Sequence, residues 1–368
     1  MKSEDRYNGS RAHGLTGLIF PKFPLYKNDG KPSITLTNIQ QQAVNDFKSK
    51  LASGIYRLED NPCMCGAHDD IVITEKDRYG IPVRYVLCRN CGLIRQAQRL
   101  DDPSTALFYR DDYRNIYNSY GGSESTKEHY FKFQELRGDT FFEVVEKYAD
   151  VSSIRSVFEA GCGAGGVLYA FYKRGITASG CDFGEEYLMY GRSKGLNLYE
   201  GEPDLTKTPA NSQDLVILSH VLEHLNHPLE YVNNILSLIA PEGYLLIQIP
   251  GLLRESRSRY SIRTFIQNAH VSYFYGHYLE RFFSLLGLEV VYGDEFCTFL
   301  LRKPKDWTKR NLEGLKVWDE EMPEWSRIIE RTLRKDYLLL LISPRRIIVH
   351  LLELLHLKNF LKRLLGRE

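Results

Sequence analysis

From Ser156 onward, short apolar runs alternate with longer stretches in which apolar residues recur every third or fourth position. SVFEA reads as a buried strand and VLYAFYKRG as a helix ended by Gly175; ITASGCD is a strand and EEYLMYGRSKG a helix. DLVILSH is a strand, PLEYVNNILSLIA a helix and YLLIQIP a strand. HYLERFFSLLG reads as a late helix, with LEVVYG and CTFLLRK as two closing strands. Apolar strands separated by helices of about ten residues predict an α/β fold, a parallel sheet covered on both faces.

Upstream the pattern changes. TNIQQQAVNDFKSKLASG predicts a helix capped by Thr37 or Asn38 and stopped by Gly54. Residues 56–100 hold Cys63, Cys65, Cys88 and Cys91. Residues 101–150 are polar, helical in pattern and rich in tyrosine (Tyr109, Tyr113, Tyr117, Tyr120 and Tyr130), and the tyrosines of 109–120 are expected to line a lid or, for most of them, to sit in the core. These shifts divide the chain into an extension (1–55), a cysteine segment (56–100), a helical lid or linker (101–150), an α/β domain (151–304) and a helical tail (305–368).

Composition narrows the function classes. The 368 residues are 43% apolar and 26% charged, with a formal net charge of +1. That balance gives no basic footprint for nucleic acid. The first twenty residues carry charges throughout, so no signal peptide is expected. No apolar run approaches the length of a spanning helix. Seven cysteines, an odd number, fit reduced thiols in the cytoplasm.

The chemistry begins at VFEAGCGAGG, residues 157–166, where a strand turns into a helix on Gly161, Gly163, Gly165 and Gly166. Bare backbone there lets a ligand approach the first helical turn. The spacing satisfies GxGxxG, and Asp182 follows at the end of the next strand, so a dinucleotide is one reading. Glu159 argues against it. A carboxylate two residues before the first glycine would repel a pyrophosphate, whereas a ligand with an ammonium and a sulfonium would be attracted. S-adenosylmethionine (SAM) is such a ligand. Asp182 is then placed to accept from both ribose hydroxyls, and Phe183 to lie against the adenine.

VFEAGCGAGG, ASGCDFGEEYLMYGRSKG and DLVILSHVLEHLNHPLEYVNNILSLIAPEGYLLIQIPG resemble successive motifs of class I SAM-dependent methyltransferases, and NAHVSYFYGHYLERFFSLLGLEVV is similar to the segment leading into that family's last two strands. The resemblance covers about residues 125–303. It implies a seven-stranded Rossmann-like sheet, six strands parallel and the last antiparallel. Glu159 stands where aspartate is commoner. For the acid that meets the adenine amino group, GEPDL offers Glu202 or Asp204. The expected cofactor set is Glu159, Gly161, Cys162, Gly163, Asp182, Phe183, Asp204 and Ser219.

HVLEH, residues 220–224, also matches the inverted zinc-peptidase pattern H-x-x-E-H. That pattern needs both histidines on one helical face, but His220 ends a strand.

Cys63 and Cys65 form CxC, and Cys88 and Cys91 form CxxC, with a predicted hairpin between the pairs. Two cysteine knuckles across a hairpin predict a closed, structural four-sulfur zinc site, with His68 as a substitute ligand. The segment CMCGA…CRNCGLIRQAQRL…FYRDDYRNIY resembles the small zinc-binding domain that precedes the methyltransferase fold in bacterial enzymes of sugar and surface-polysaccharide clusters. Zinc-bearing ribosomal RNA methyltransferases share this domain order, but the basic residues of 56–100 are nearly balanced by acids. Cys162, Cys181 and Cys297 read as small core residues.

Methyl transfer requires acceptor and methyl held in line, and a base near neutral pKa. Histidine is the simplest choice. Of His220, His224, His227, His270 and His277, strand-end placement favours His220, His224 and His270. Tyr130, Gln134 and Arg137 are expected to line a lid. The reading is a cytoplasmic methyltransferase acting on a small molecule or glycan, with a sugar acceptor implied by the resemblance and a non-catalytic SAM- and zinc-binding protein as the alternative. The tail SPRRIIVHLLELLHLKNFLKRLLGRE reads as a basic amphipathic helix. Such a helix lies on a membrane surface or packs on this chain or a second copy.

Overall fold

A computed structural model describes residues 27–117, 127–253 and 262–341. The first helix, α1 (Asn38–Ser53), begins on a reciprocal cap between Thr37 and Gln40 and stops at Gly54 with φ +79°. The cysteine segment then forms β1 (Leu58–Asp60), β2 (Asp70–Lys76), β3 (Pro82–Cys88), β4 (Ile94–Gln96) and β5 (Gln98–Leu100). Strands β2 and β3 make the expected antiparallel hairpin. Helices α2 (Asp102–Asp111), α3 (Tyr113–Tyr117) and α4 (Lys127–Tyr148) follow.

The α/β region runs β6 (Ser156–Ala160), α5 (Gly166–Tyr172), β7 (Thr177–Asp182), α6 (Glu185–Ser193), β8 (Asn197–Glu200), β9 (Gln213–Ser219), α7 (Pro228–Ile235) and β10 (Ile239–Gln248). It continues with α8 (Ile262–Phe265), β11 (Ser272–Tyr273), α9 (Gly276–Leu285), β12 (Glu289–Gly293), β13 (Thr298–Arg302) and α10 (Met322–Leu341). Seven strands form one sheet in the order β12-β13-β10-β9-β6-β7-β8. β13 is antiparallel to both neighbours, and the other pairings are parallel. The expected sheet is present. Its edge strand β8 is four residues long and too short to stand out in the hydropathy pattern.

The strand order reverses at β6, where β7 lies to one side and β9 to the other. Such a switch point opens a crevice at the carboxyl ends of the strands. Register places Glu159 beside Gly180 and Ile217, so Asp182 and Ser219 lie just beyond it on the flanking strands.

The boundary expected at residue 100 exists in sequence but not in packing. β11, from the far end of the α/β region, joins the cysteine segment in a four-stranded sheet of order β11-β4-β3-β2. One apolar cluster runs from Ile71, Tyr85 and Leu87 through Ile94 and Tyr273 to Leu218, Ile247 and Phe282. Cys162, Cys181 and Cys297 are fully buried core residues. No helix among the described residues is long and apolar enough to cross a membrane. The tail expected to be amphipathic, from Ser343 onward, lies outside the described residues.

Candidate active site and cysteine cluster

Three glycines of the turn hold left-handed backbone, Gly161 at φ +75°, Gly163 at φ +56° and Gly165 at φ +78°. A side chain at any of them would be strained. Gly166, the fourth, serves packing. A Cβ on Gly166 would stand 2.2 Å from the Phe131 carbonyl oxygen, and one on Gly138 2.6 Å from that of Val167. These two bare positions let α4 lie directly against α5. From α4, the Gln134 amide oxygen accepts from the Ala164 and Gly166 N–H groups (3.2 and 3.4 Å), and its nitrogen donates to the Cys162 carbonyl (3.1 Å). Tyr130 and Gln134 face Gly163.

Glu159 is 1% exposed at the end of β6, and its Oε2 has no hydrogen-bond partner. Burial pushes its pKa well up; Arg137 pulls it down and Asp182 adds to the rise. Asp182 accepts from the Gly163 N–H (2.9 Å) through one oxygen and the Gly184 N–H (2.8 Å) through the other. Each oxygen retains a lone pair for a ribose hydroxyl. Arg114 lies 3.8 Å from Asp182 and stacks on Tyr187. Phe183 is 60% exposed at the crevice. Ser219 accepts from Arg137 (3.3 Å).

The structure separates the two acids of GEPDL. Asp204 uses its carboxylate to cap its own turn, accepting from the Thr206 N–H and hydroxyl. This local role departs from its place in the expected cofactor set. Glu202 instead reaches Tyr231 and stands near Cys181, one residue before Asp182, and burial raises its pKa.

Glu223 gathers the three expected histidines. It is almost fully buried, in the short helical turn Leu222–His224. Its Oε1 lies 3.2 Å from His220 Nδ1 and 3.8 Å from His224 Nε2, while Oε2 has no partner. His220 is held at φ +57°, left-handed backbone that costs about 1–3 kcal/mol in a non-glycine residue. His224 Nδ1 lies 2.9 Å from the Ala269 carbonyl and 2.8 Å from the Tyr109 hydroxyl. Burial lowers the His224 pKa. The His270 ring meets that of His224 edge-on at 4.7 Å, and burial lowers its pKa further. His220 and His224 do not share a helical face, so the peptidase pattern is a coincidence of spacing.

Sequence reasoning missed Glu223 as the hub, although it lies within HVLEH. It singled out the tyrosines of 109–120 as lid or core residues but not their contact with His224. Tyr109, Tyr113 and Tyr117 stack in series with centroids 4.8 and 5.0 Å apart, and Tyr109 and Tyr113 both meet the His224 ring. Three tyrosines at four-residue spacing were the available signal.

The four cysteines converge. Sγ distances are 3.4 Å for Cys63 to Cys91, 3.4 Å for Cys63 to Cys65 and 3.6 Å for Cys65 to Cys88. A disulfide needs about 2.05 Å. A zinc tetrahedron with bonds of about 2.3 Å has sulfur edges of about 3.8 Å. The donor set and spacing therefore fit a zinc ion, and the CxC pair takes its place without His68. Asn90 and the Ala67 N–H donate to Cys65 Sγ, the usual outer support of a thiolate ligand. Tyr275 from α9 and Ser326 from α10 donate to the Cys91 and Cys88 carbonyls (2.8 and 2.9 Å).

Comparison with known proteins agrees with this geometry. Residues 129–292 match a family model described as a methyltransferase domain. A 109-residue stretch is 29% identical to the ubiquinone biosynthesis O-methyltransferase of Vibrio parahaemolyticus, covering 28% of this chain and 46% of that protein. The chain thus spans about half the length of this curated relative. Among solved structures, a SAM-dependent methyltransferase from Archaeoglobus fulgidus is 21% identical over 56% of this chain and 93% of its own, with a TM-score of 0.35. An O-methyltransferase family protein from Burkholderia thailandensis is 14% identical over 52% of this chain and 62% of its own, with a TM-score of 0.38. Residues 129–292 thus match a methyltransferase domain, and the seven-stranded sheet has the Rossmann-like fold of class I SAM-dependent methyltransferases.

Proposed function

We propose that the protein transfers the methyl group of SAM to an oxygen or carbon of a small polar acceptor, a sugar being the best match to its chemistry. The observation that carries the reading is the unpartnered, buried carboxylate of Glu159 at the crevice end of β6. Leaving such an acceptor unpaired costs about 1–3 kcal/mol, and a cationic ligand offsets that cost. Glu159 and Asp182 would hold the ammonium side and the ribose, with Phe183 against the adenine and Glu202 near its amino group. When bound, SAM supplies an electrophilic methyl on a sulfonium.

The chain's own part is to hold the acceptor in line, keep water out and take the acceptor's proton. His220 is the base the geometry favours. Its Nδ1 faces Glu223 Oε1, which leaves Nε2 outward on a half-exposed ring. With SAM held by Glu159 and Asp182 and supplying the electrophilic methyl, His220 Nε2 would take the proton that the acceptor gives up on methylation. Tyr109, Tyr113 and His224 form the wall behind. A sugar suits a crevice of carboxylate, imidazole and tyrosine groups.

We further propose that the four cysteines hold one structural zinc. A ribosomal RNA acceptor is disfavoured by the segment's cations. Lys76, Arg89, Arg95 and Arg99 pair with Asp29, Asp69, Asp70 and Glu59, which leaves these charges unavailable to phosphates. The test is radiolabelled methyl transfer from SAM to a panel of nucleotide sugars, phenols and total ribosomal RNA, using zinc-replete full-length protein. Label in the sugars supports the reading; label confined to RNA or phenols overturns the acceptor class, and loss of activity in His220→Gln tests the base.

A further inference from the structure

The loop that carries His270 belongs to the α/β region in sequence, yet the cysteine-bearing hairpin holds it. Asn268 N–H donates to Asp77 Oδ2 (2.9 Å), and Gln96 N–H donates to the Val271 carbonyl (3.0 Å). The Gln96 amide donates to the Asn268 carbonyl (2.6 Å), and the Tyr85 hydroxyl contacts the Gln267 and His270 carbonyls. Arg78, in the hairpin turn, donates through Nη2 to Gln267 Oε1.

That last bond has a chemical consequence. A guanidinium can only donate, so the oxygen of the Gln267 amide must face Arg78, and its NH2 must face His270. The Gln267 nitrogen does contact His270 Nε2. His270 Nε2 must therefore accept, and in the neutral ring the proton sits on Nδ1. Nδ1 is buried without a partner among the described residues, as is Glu223 Oε2. A nitrogen of His270, one of His224 and an oxygen of Glu223 lie within 4.8 Å of one another. Two histidines and a carboxylate are also a metal-ligand set. A divalent ion bound through Nδ1 would compete with the proton that the Arg78–Gln267 arrangement favours there.

We propose that Arg78 is a positioning residue of the transferase site: through Gln267 it fixes His270 in the Nδ1-protonated form, whose N–H holds Glu223 Oε2 and leaves Oε1 for His220. The donor and the acceptor are both unpartnered in the ligand-free chain, and their pairing is the tightening expected when a ligand fills a catalytic site. The inference rests on the proposed His220–Glu223 pair, and it makes the hairpin part of the catalytic apparatus.

The test reads tautomers directly and needs no acceptor. Long-range proton–nitrogen spectra are recorded on the ligand-free full chain with 15N-labelled histidine, His270 being assigned by signal loss in His270→Asn. The wild type should show His270 protonated on Nδ1. Arg78→Lys, which keeps a donor, should preserve that form, and Arg78→Met should lose it. Gln267→Glu, which retains a partner for Arg78 and so guards against misfolding, should move the proton to Nε2. Protonation on Nε2 in the wild type or an unchanged tautomer in Gln267→Glu would each overturn the proposal. Zinc titrated into the wild type beyond the cysteine site should leave the His224 and His270 signals in place; their loss would establish a metal site instead and overturn the tautomer argument. SAM calorimetry on the same samples separates these outcomes from failure of the methyltransferase reading, because the cofactor contacts lie elsewhere.

Discussion

The proposed cofactor half of the crevice and the proposed acceptor half are built in opposite ways. Glu159, the glycine turn and Asp182 come from two adjacent strands within 24 residues of sequence, and backbone bonds between them set the geometry. His220, Glu223, His270, Tyr109 and Arg78 come from four distant segments, and the cysteine module ties them together. A local construction tolerates loss of its distant neighbours. A distributed one fails when any piece moves.

The largest expected effect follows from that asymmetry. Cys88→Ser with Cys91→Ser should release one zinc per chain and unfold the module, because structural zinc binding is coupled to folding at roughly 10 kcal/mol or more. The late helices that donate to the cysteine carbonyls should loosen with it. Elemental analysis and hydrogen exchange across residues 56–100 and 266–273 would check this; retained zinc in the double variant would contradict it.

Within the acceptor half, His220→Gln should reduce turnover by roughly 100- to 10,000-fold, the usual weight of a general base, and leave SAM affinity unchanged. His224→Gln should cost less, since that ring is a buried wall. Steady-state kinetics paired with calorimetry separate the two; equal losses would place the proton elsewhere.

The strand-end positions of the proposed cofactor half were legible in the sequence, because its residues are nearly consecutive and strand-end placement follows from hydropathy. Glu159 and Asp182 were named from spacing alone. The choice between Glu202 and Asp204 was not legible, since it depends on which carboxylate folds back on its own turn. The acceptor half was legible as a list of histidines but not as an assembly. Nothing in HVLEH reveals that His220 adopts left-handed backbone, nor that β11 crosses to the cysteine sheet. A two-residue strand leaves no periodicity to detect.

In the cofactor half, Glu159→Gln should act in opposite directions on binding and stability. The fold raises the Glu159 pKa, so the native state binds its proton more tightly than the unfolded chain. Ionisation therefore costs stability as pH rises from the unfolded value toward the raised one. The glutamine variant should be more stable than wild type at neutral pH by about 1–3 kcal/mol, and the gain should vanish below about pH 4.3. Denaturant melts at both pH values check the sign. Asp182→Ala should weaken SAM binding by about 1–3 kcal/mol through lost charged hydrogen bonds.

The most direct measurement is a calorimetric titration of SAM, and separately of NAD, into zinc-replete full-length protein, repeated with Glu159→Gln. SAM should bind one per chain and weaken roughly 10- to 100-fold in the variant, the fold-change of about 1–3 kcal/mol, while NAD gives no heat because its pyrophosphate meets Glu159. Binding of NAD to the wild type, or SAM affinity unaltered by loss of the carboxylate, would contradict the account.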